Sequence, residues 1–188
     1  MADVTRILAG VKHIYFTPWT DASTAPSLSG HIELRSIIAD STEITQDDPE
    51  TTSIDSETRD EPIIETVTAG AYSISMDSAD INFDILSACF GYTKVDDVYA
   101  AAPAAYEAKY MAIEVDMGST MFLLPKVLIT SKIDASSLKT DVCKGTISGT
   151  AYTARVAVGS NAAVETPFIV VAMPRESSTY PTITITAA

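Results

Sequence analysis

Two cysteines, two histidines and one tryptophan are all that 188 residues hold of the side chains most used for metal binding, nucleophilic chemistry and sugar stacking. Cys89 and Cys143 form no CxxC spacing, which removes the usual zinc and redox motifs. Cys89 lies in an apolar, helix-like run and is expected to be a buried free thiol. His13 and His31 sit in strand patterns with no Ser or Cys motif beside them. GxSxG and HExxH are missing, so both histidines read as surface or packed residues. Trp19 alone cannot build the aromatic cleft that a paired-carboxylate glycosidase needs. No glycine falls between Gly30 and Gly70, which excludes an EF-hand in the acidic run between them. No glycine-rich loop precedes a helix, so a phosphate cradle is missing too. These absences point to a chain that is not an enzyme and takes no cofactor and no metal.

Positive charge is equally scarce. Twelve Lys and Arg face 25 Asp and Glu, for a net charge of −13. Ten of the acids lie between Asp40 and Glu65, where Arg59 is the lone cation. The charge is therefore local. A chain this acidic should not grip nucleic-acid phosphates, because that grip runs through Lys and Arg. No run reaches the roughly 18 apolar residues of a membrane-spanning helix. The start, "MADVTRILAGVKHIYF", lacks the basic, apolar and small-residue segments of a signal peptide. The expectation is a protein made in the cytoplasm, with no membrane partner.

What is present is a core and a strand pattern. Hydrophobic residues make up 46% of the chain, enough to fold despite the acidic run. Residues 4–17 read as one or two strands bent at Gly10, and 18–30 as a loop. In 30–38, Ile32 and Leu34 alternate with Glu33 and Arg35, as in a half-buried strand. Residues 62–77 read as a strand broken at Ala69-Gly70. "SADINFDILSACFGY" (78–92) places Ile81, Ile85, Leu86, Cys89 and Phe90 on one helical face. Ser78 or Asp80 could cap that helix, and Gly91 could end it. Residues 98–108 read as a small-residue linker. Met111, Ile113, Val115 and Met117 alternate with Tyr110, Ala112, Glu114 and Asp116, so one face should be dry and the other wet. Gly118-Ser119 reads as a tight turn into 120–134, where Pro125 signals a bulge or an edge. Strands also fit 141–159, 167–174 and 180–188.

About eight strands and one firm helix, without β-α-β alternation, give the fold class. It is mainly β: an antiparallel β-sandwich or barrel in a single domain over 1–188. One flanking α-helix (about 78–90) and a long acidic loop at about 41–62 complete it.

The order of features adds a resemblance. A strand leads into "EITQDDPETTSIDSETRDEPI" and then "ETVTAGAYSISMDSADINFDILSACFG". Over roughly residues 30–92 this resembles the phage tail tube (major tail protein) family. The resemblance implies a structural β-sandwich subunit whose partners are copies of itself. Six close into a ring, their inner sheets join into one barrel, and rings stack into a tube. Other tail proteins would sit at the tube ends, and DNA would pass through transiently and non-specifically. The implied location is the virion tail, after synthesis in the host cytoplasm. The wet strand faces propose Glu33, Ser73, Ser75, Glu114 and Asp116 as channel-lining residues, with Arg35 a departure from an acidic wall. Asp47, Asp48, Glu50, Asp55, Glu57 and Arg59 become the ring-stacking loop. Deleting 45–60 should abolish stacking and leave the fold. The alternatives are a tube subunit of a contractile injection system and a pilus-like polymerising sandwich.

Overall fold

The computed structural model describes residues 10–20, 24–56, 59–79, 83–95, 99–105, 109–134, 144–173 and 179–187. Within them the chain is mainly β, with antiparallel sheets and one short helix. The strands run β1 (His13–Pro18), β2 (Ile32–Leu34), β3 (Glu43–Gln46), β4 (Glu50–Ser56), β5 (Arg59–Thr68) and β6 (Tyr72–Ser78). Helix α1 (Phe83–Phe90) follows, then β7 (Thr93–Val95), β8 (Tyr99–Ala101), β9 (Lys109–Asp116) and β10 (Thr120–Asp134). The chain continues through β11 (Lys144–Tyr152), β12 (Ala154–Val158), β13 (Val164–Thr166), β14 (Ile169–Ala172) and β15 (Ile183–Thr186). Fifteen described strands replace the eight or so expected; the surplus is mostly short pieces. Residues 98–108, expected as a linker with a helical turn, contribute β8 to a small hairpin with β7 instead.

The main sheet has eight strands in the order β2-β1-β9-β10-β11-β6-β3, with β14 paired to the first part of β10. β10 serves two neighbours on one side because its 15 residues leave room for β14 over Thr120–Leu123 and β11 from Lys126 onward; on the other side it is bulged. Its register against β9 slips between Leu124 and Val127, around Pro125. The Trp19 indole N–H donates to the Pro125 carbonyl at 3.0 Å, which satisfies one acceptor at the bulge. The turn from β9 into β10 is tight, with Gly118 at φ +89° and the Met117 N–H donating to Thr120 O.

One face of this sheet is dry because its period-two positions are apolar. Ile14, Phe16, Leu34, Ile74, Met76, Ile113, Val115 and Ile147 are all buried there. Helix α1 closes that core with Ile85, Leu86, Cys89 and Phe90. Gly91 ends the helix at φ +71°, as expected, and the Tyr92 N–H reaches back to Leu86 O. The expected cap by Ser78 or Asp80 falls on backbone outside the described residues, 80–82. Ser78 closes β6, and its buried hydroxyl donates to Arg35 O at 2.8 Å. Asp80 and Ile81 lie outside the described residues. A third brace comes from Lys109, whose ammonium donates to the Ser87 carbonyl near the helix end.

The other face is not uniformly wet. A small sheet, β13-β12-β15, lies against its middle. Ala112 and Leu123 meet Trp19, Ala154, Val156 and Ile185 in a second core. Ala112, expected on a wet face, is fully buried for that reason. Alternation showed that β9 has two kinds of face, and the partner sheet decided that the second is partly covered.

The acidic stretch is not a loop. β4 and β5 pair antiparallel, from Glu50 opposite Thr68 to Ser56 opposite Arg59. The register is shared with β3 and β6. Glu43 faces Ser75 and Gln46 faces Tyr72; Glu50 then faces Thr68 and Ile54 faces Ile64 at the same offset. Between the two ladders the Asp47 N–H donates to Ala71 O at 2.9 Å. The β3/β6 edge and the β4/β5 hairpin are one ribbon, and its outer half is a separate two-stranded sheet. Gly70 permits the crossing at the base, where a Cβ would collide with the Asp47 carbonyl.

Candidate functional site

Five of the six proposed channel-lining residues share one face of the main sheet, the face opposite α1. Glu33 alternates with buried Leu34 and half-buried Ile32. Ser73 and Ser75 flank buried Ile74. Glu114 and Asp116 flank buried Val115. Arg35 follows β2 and bonds Glu33 through its Nε, at 3.2 Å. The residues fall into two groups, because β10 and β11 separate β9 from β6.

The first group is titratable. The Glu33 carboxylate meets the His13 Nδ1 at 2.8 Å and the Arg35 guanidinium. The His13 hydrogen bond, followed by the Arg35 contacts, holds the Glu33 carboxyl below its ordinary range. Tyr15 stands between the two histidine rings, 5.8 Å from His13 and 4.4 Å from His31, centroid to centroid. Burial pushes its phenol up, and Glu33, Asp116 and Glu114 push it further. Asp116 accepts from the Gly118 N–H and from the Tyr180 hydroxyl, both at 2.7 Å. Glu114 lines a cleft of about 340 Å3 beside Ser27, Ser29, Tyr180 and Thr182. Its Oε1 is buried without a hydrogen-bond partner. Burial raises its carboxyl; Asp116 adds to the rise and His31 opposes it. Both histidines are thus surface-facing members of a polar cluster.

The second group is hydroxyl-rich. Glu43, Thr45, Ser73, Ser75, Ser148 and Thr150 line a shallow groove of about 220 Å3 over β3, β6 and β11. The hydroxyls pair with one another across strands. Thr45 Oγ1 lies 2.7 Å from Ser73 Oγ, and Ser75 Oγ lies 3.3 Å from Ser148 Oγ. Such cross-strand pairs hold a polar face flat. Period two in 73–77 marks this surface, but the reading missed its continuation over β11 and β3. Asp77 falls on the same polar half of the alternation, but its partners do not show in it: the carboxylate joins Lys144 at 2.8 Å and Thr146 at 2.6 Å. The two hydrogen bonds, Lys144's first, hold the Asp77 carboxyl below its ordinary range. No local signal could link Asp77 to Lys144, because strand pairing alone brings them together.

Of the proposed stacking residues, Asp47, Asp48 and Glu50 are exposed at the base of the arm. Asp55 and Arg59 lie in its strands, and Glu57 lies outside the described residues. Cys89 is buried and free, and burial pushes its thiol up to about 12. Cys143 lies outside the described residues. Among the described residues no group of three His, Cys, Asp or Glu is placed to hold a metal ion, and no helix is long and apolar enough to cross a membrane.

No protein-family model matches the chain, and no curated protein matches its sequence. One solved structure of similar shape comes from the "Cryo-EM structure of the anti-feeding prophage (AFP) baseplate, 6-fold symmetrised". It shares 10% identity at a TM-score of 0.41, over 90% of this chain and 98% of that one. A likeness of that size carries no argument about assembly.

Proposed function

We propose that this chain is a structural subunit of a phage tail tube, self-assembling into stacked hexameric rings around an anionic channel for DNA. The observation that carries the proposal is the open main sheet. It ends in β2 on one side and β3 on the other, and among the described residues neither strand pairs a second strand, although the segment after β2 bridges to the end of β6 through Ile37 and Ser78. Unpaired edges are templates for another chain. Pairing the β2 edge of one copy with the β3 edge of the next would close a ring of sheets. The uncovered parts of the face opposite α1, on either side of the small β13-β12-β15 sheet, would then line the bore, with Glu33, Glu114 and Asp116 at one end and the Ser/Thr surface at the other. Hydroxyls and carboxylates dominate this wall, and cations on it are engaged, Lys144 by Asp77, Arg35 by Glu33 and Lys126 over the Trp19 and Tyr110 rings, so a duplex finds little to hold.

The acidic arm suits stacking. It leaves the body as a free ribbon, so it can reach a neighbouring ring without disturbing the core. The same surfaces would serve a tube subunit of a contractile injection system, where a sheath would coat the tube.

Negative-stain microscopy of the concentrated protein tests the proposal. Hollow rods or sixfold rings are the expected result. A globular monomer at every concentration would sink it.

A further inference from the structure

Asp77 has a place that the tube reading does not by itself explain. It sits on the open face of β6, opposite Thr146 of β11, which in turn faces Lys132 of β10. One carboxylate oxygen takes the Lys144 ammonium at 2.8 Å, and the other takes the Thr146 hydroxyl at 2.6 Å. The exposed Lys132 ammonium acts on the same carboxylate through space. The backbone is pinned as well, since the Asp77 N–H donates to Ser41 Oγ at 3.1 Å. Two ammonium groups and a hydroxyl around an oxyanion make a phosphate-binding arrangement. Here the oxyanion belongs to the chain.

We propose that Asp77 is a built-in counter-anion, filling a phosphate-binding position formed by Lys144, Thr146 and Lys132 on the open face of the main sheet. The neighbouring groove is Ser, Thr and Glu43, so on this part of the face the two lysines are where a passing phosphate could be held; Lys126, further along the same face, lies over the Trp19 and Tyr110 rings. With Asp77 in place Lys144 fastens β6 to β11, and the Asp77 charge offsets that of Lys132 on β10. Keeping DNA from sticking to the wall rests on the tube reading; the masked site does not.

The test is a titration of the full chain with inorganic phosphate at constant ionic strength, read by amide NMR. Asp77→Asn removes the charge, and Asp77→Ser also opens the position. In either variant that keeps the native spectrum, the amides of Lys132, Lys144 and Thr146 should shift together and saturate. The apparent affinity should be at least about tenfold tighter than in the wild type, the worth of one charge-assisted contact. Adding Lys144→Gln to the variant should abolish the response. A folded Asp77 variant that answers phosphate no better than the wild type would overturn the proposal. So would a response indifferent to Lys144→Gln. Loss of fold in both variants would also overturn it, because Asp77 would then be a structural strut. Micrographs of the wild type report on the tube separately. If no tube forms while the variants bind phosphate, the masked site stands and only its channel role falls.

Discussion

At the scale of single residues, two buried groups make opposite predictions. Glu114 sits in a place that penalises its charged form, with Oε1 lacking a partner. A carboxyl pushed up by burial costs stability at pH 7, and the cost disappears as falling pH protonates it. Glu114→Gln should therefore raise the melting temperature at pH 7 by about 2–4 °C, what roughly 1 kcal/mol gives in a chain of this size. The gain should shrink as pH falls through the raised pKa of the wild type. Scanning calorimetry of both proteins between pH 4 and 7 checks this, and a variant that melts lower at pH 7 would show that the carboxylate is being used. Cys89 behaves differently, because its neutral form is the one the core accepts. Its thiol is raised to about 12, so its contribution is intact below the ordinary thiol pKa near 9. That contribution is lost as pH climbs from there toward 12, where the unfolded chain ionises and the native one resists. In a Cys143→Ser background a thiol reagent at pH 8 should leave Cys89 unmodified until denaturant is added. Rapid labelling of the native protein would contradict its burial.

At the scale of elements, the arm is the informative case. β4 and β5 pair with each other and with no other strand among the described residues. Removing them should therefore cost the body little. The cut suggested by sequence, 45–60, would cleave β3 and leave β5 without a partner. A deletion of 49–68, closing the ribbon just beyond the Asp47–Ala71 hydrogen bond, respects the ladder. This shortened chain should unfold within about 1 kcal/mol of the parent, as changes away from the core do, while rods give way to single rings in micrographs. A large loss of stability would mean that the arm is part of the domain. The same contrast explains what was legible. β6, β9, β10 and α1 could be read because burial on one side forces apolar residues to recur at a fixed period. Of the arm, the second strand could be read over 62–68, but β4 could not, because its exposed Thr and Ser recur without a buried face to select them, and carboxylate density then reads as loop. Ala112 misled for a related reason. Its side chain is small enough for either environment, and only the arrival of β12 and β15 decides. Ser73 and Ser75 were visible as the polar half of an alternation, whereas Lys144 and Thr146 join Asp77 only through the β6–β11 pairing.

At the scale of the whole molecule, charge placement and edge geometry oppose each other. In the proposed ring six copies would come together, each with a net charge of −13 and most of that charge near the arm. Repulsion between arms reaches about 30 Å at 0.01 M salt but only about 10 Å at 0.1 M. Edge pairing between β2 and β3 is short-ranged and nearly indifferent to salt. Low ionic strength should therefore hold the subunits apart, and physiological ionic strength should release them to assemble. The critical concentration for assembly, followed by light scattering and pelleting, should fall by about tenfold or more between 10 mM and 150 mM NaCl, equivalent to about 1.4 kcal/mol of screened repulsion per added subunit. The chain lacking 49–68 should form rings with a much weaker salt dependence, because the deletion removes Glu50, Asp55, Glu57, Asp60, Glu61 and Glu65 for the loss of one cation, Arg59. If the full chain instead assembled best at 10 mM salt, attraction between unlike patches would be driving it. The acidic arm would then have to dock on a basic surface of its neighbour, and its charge would be adhesive.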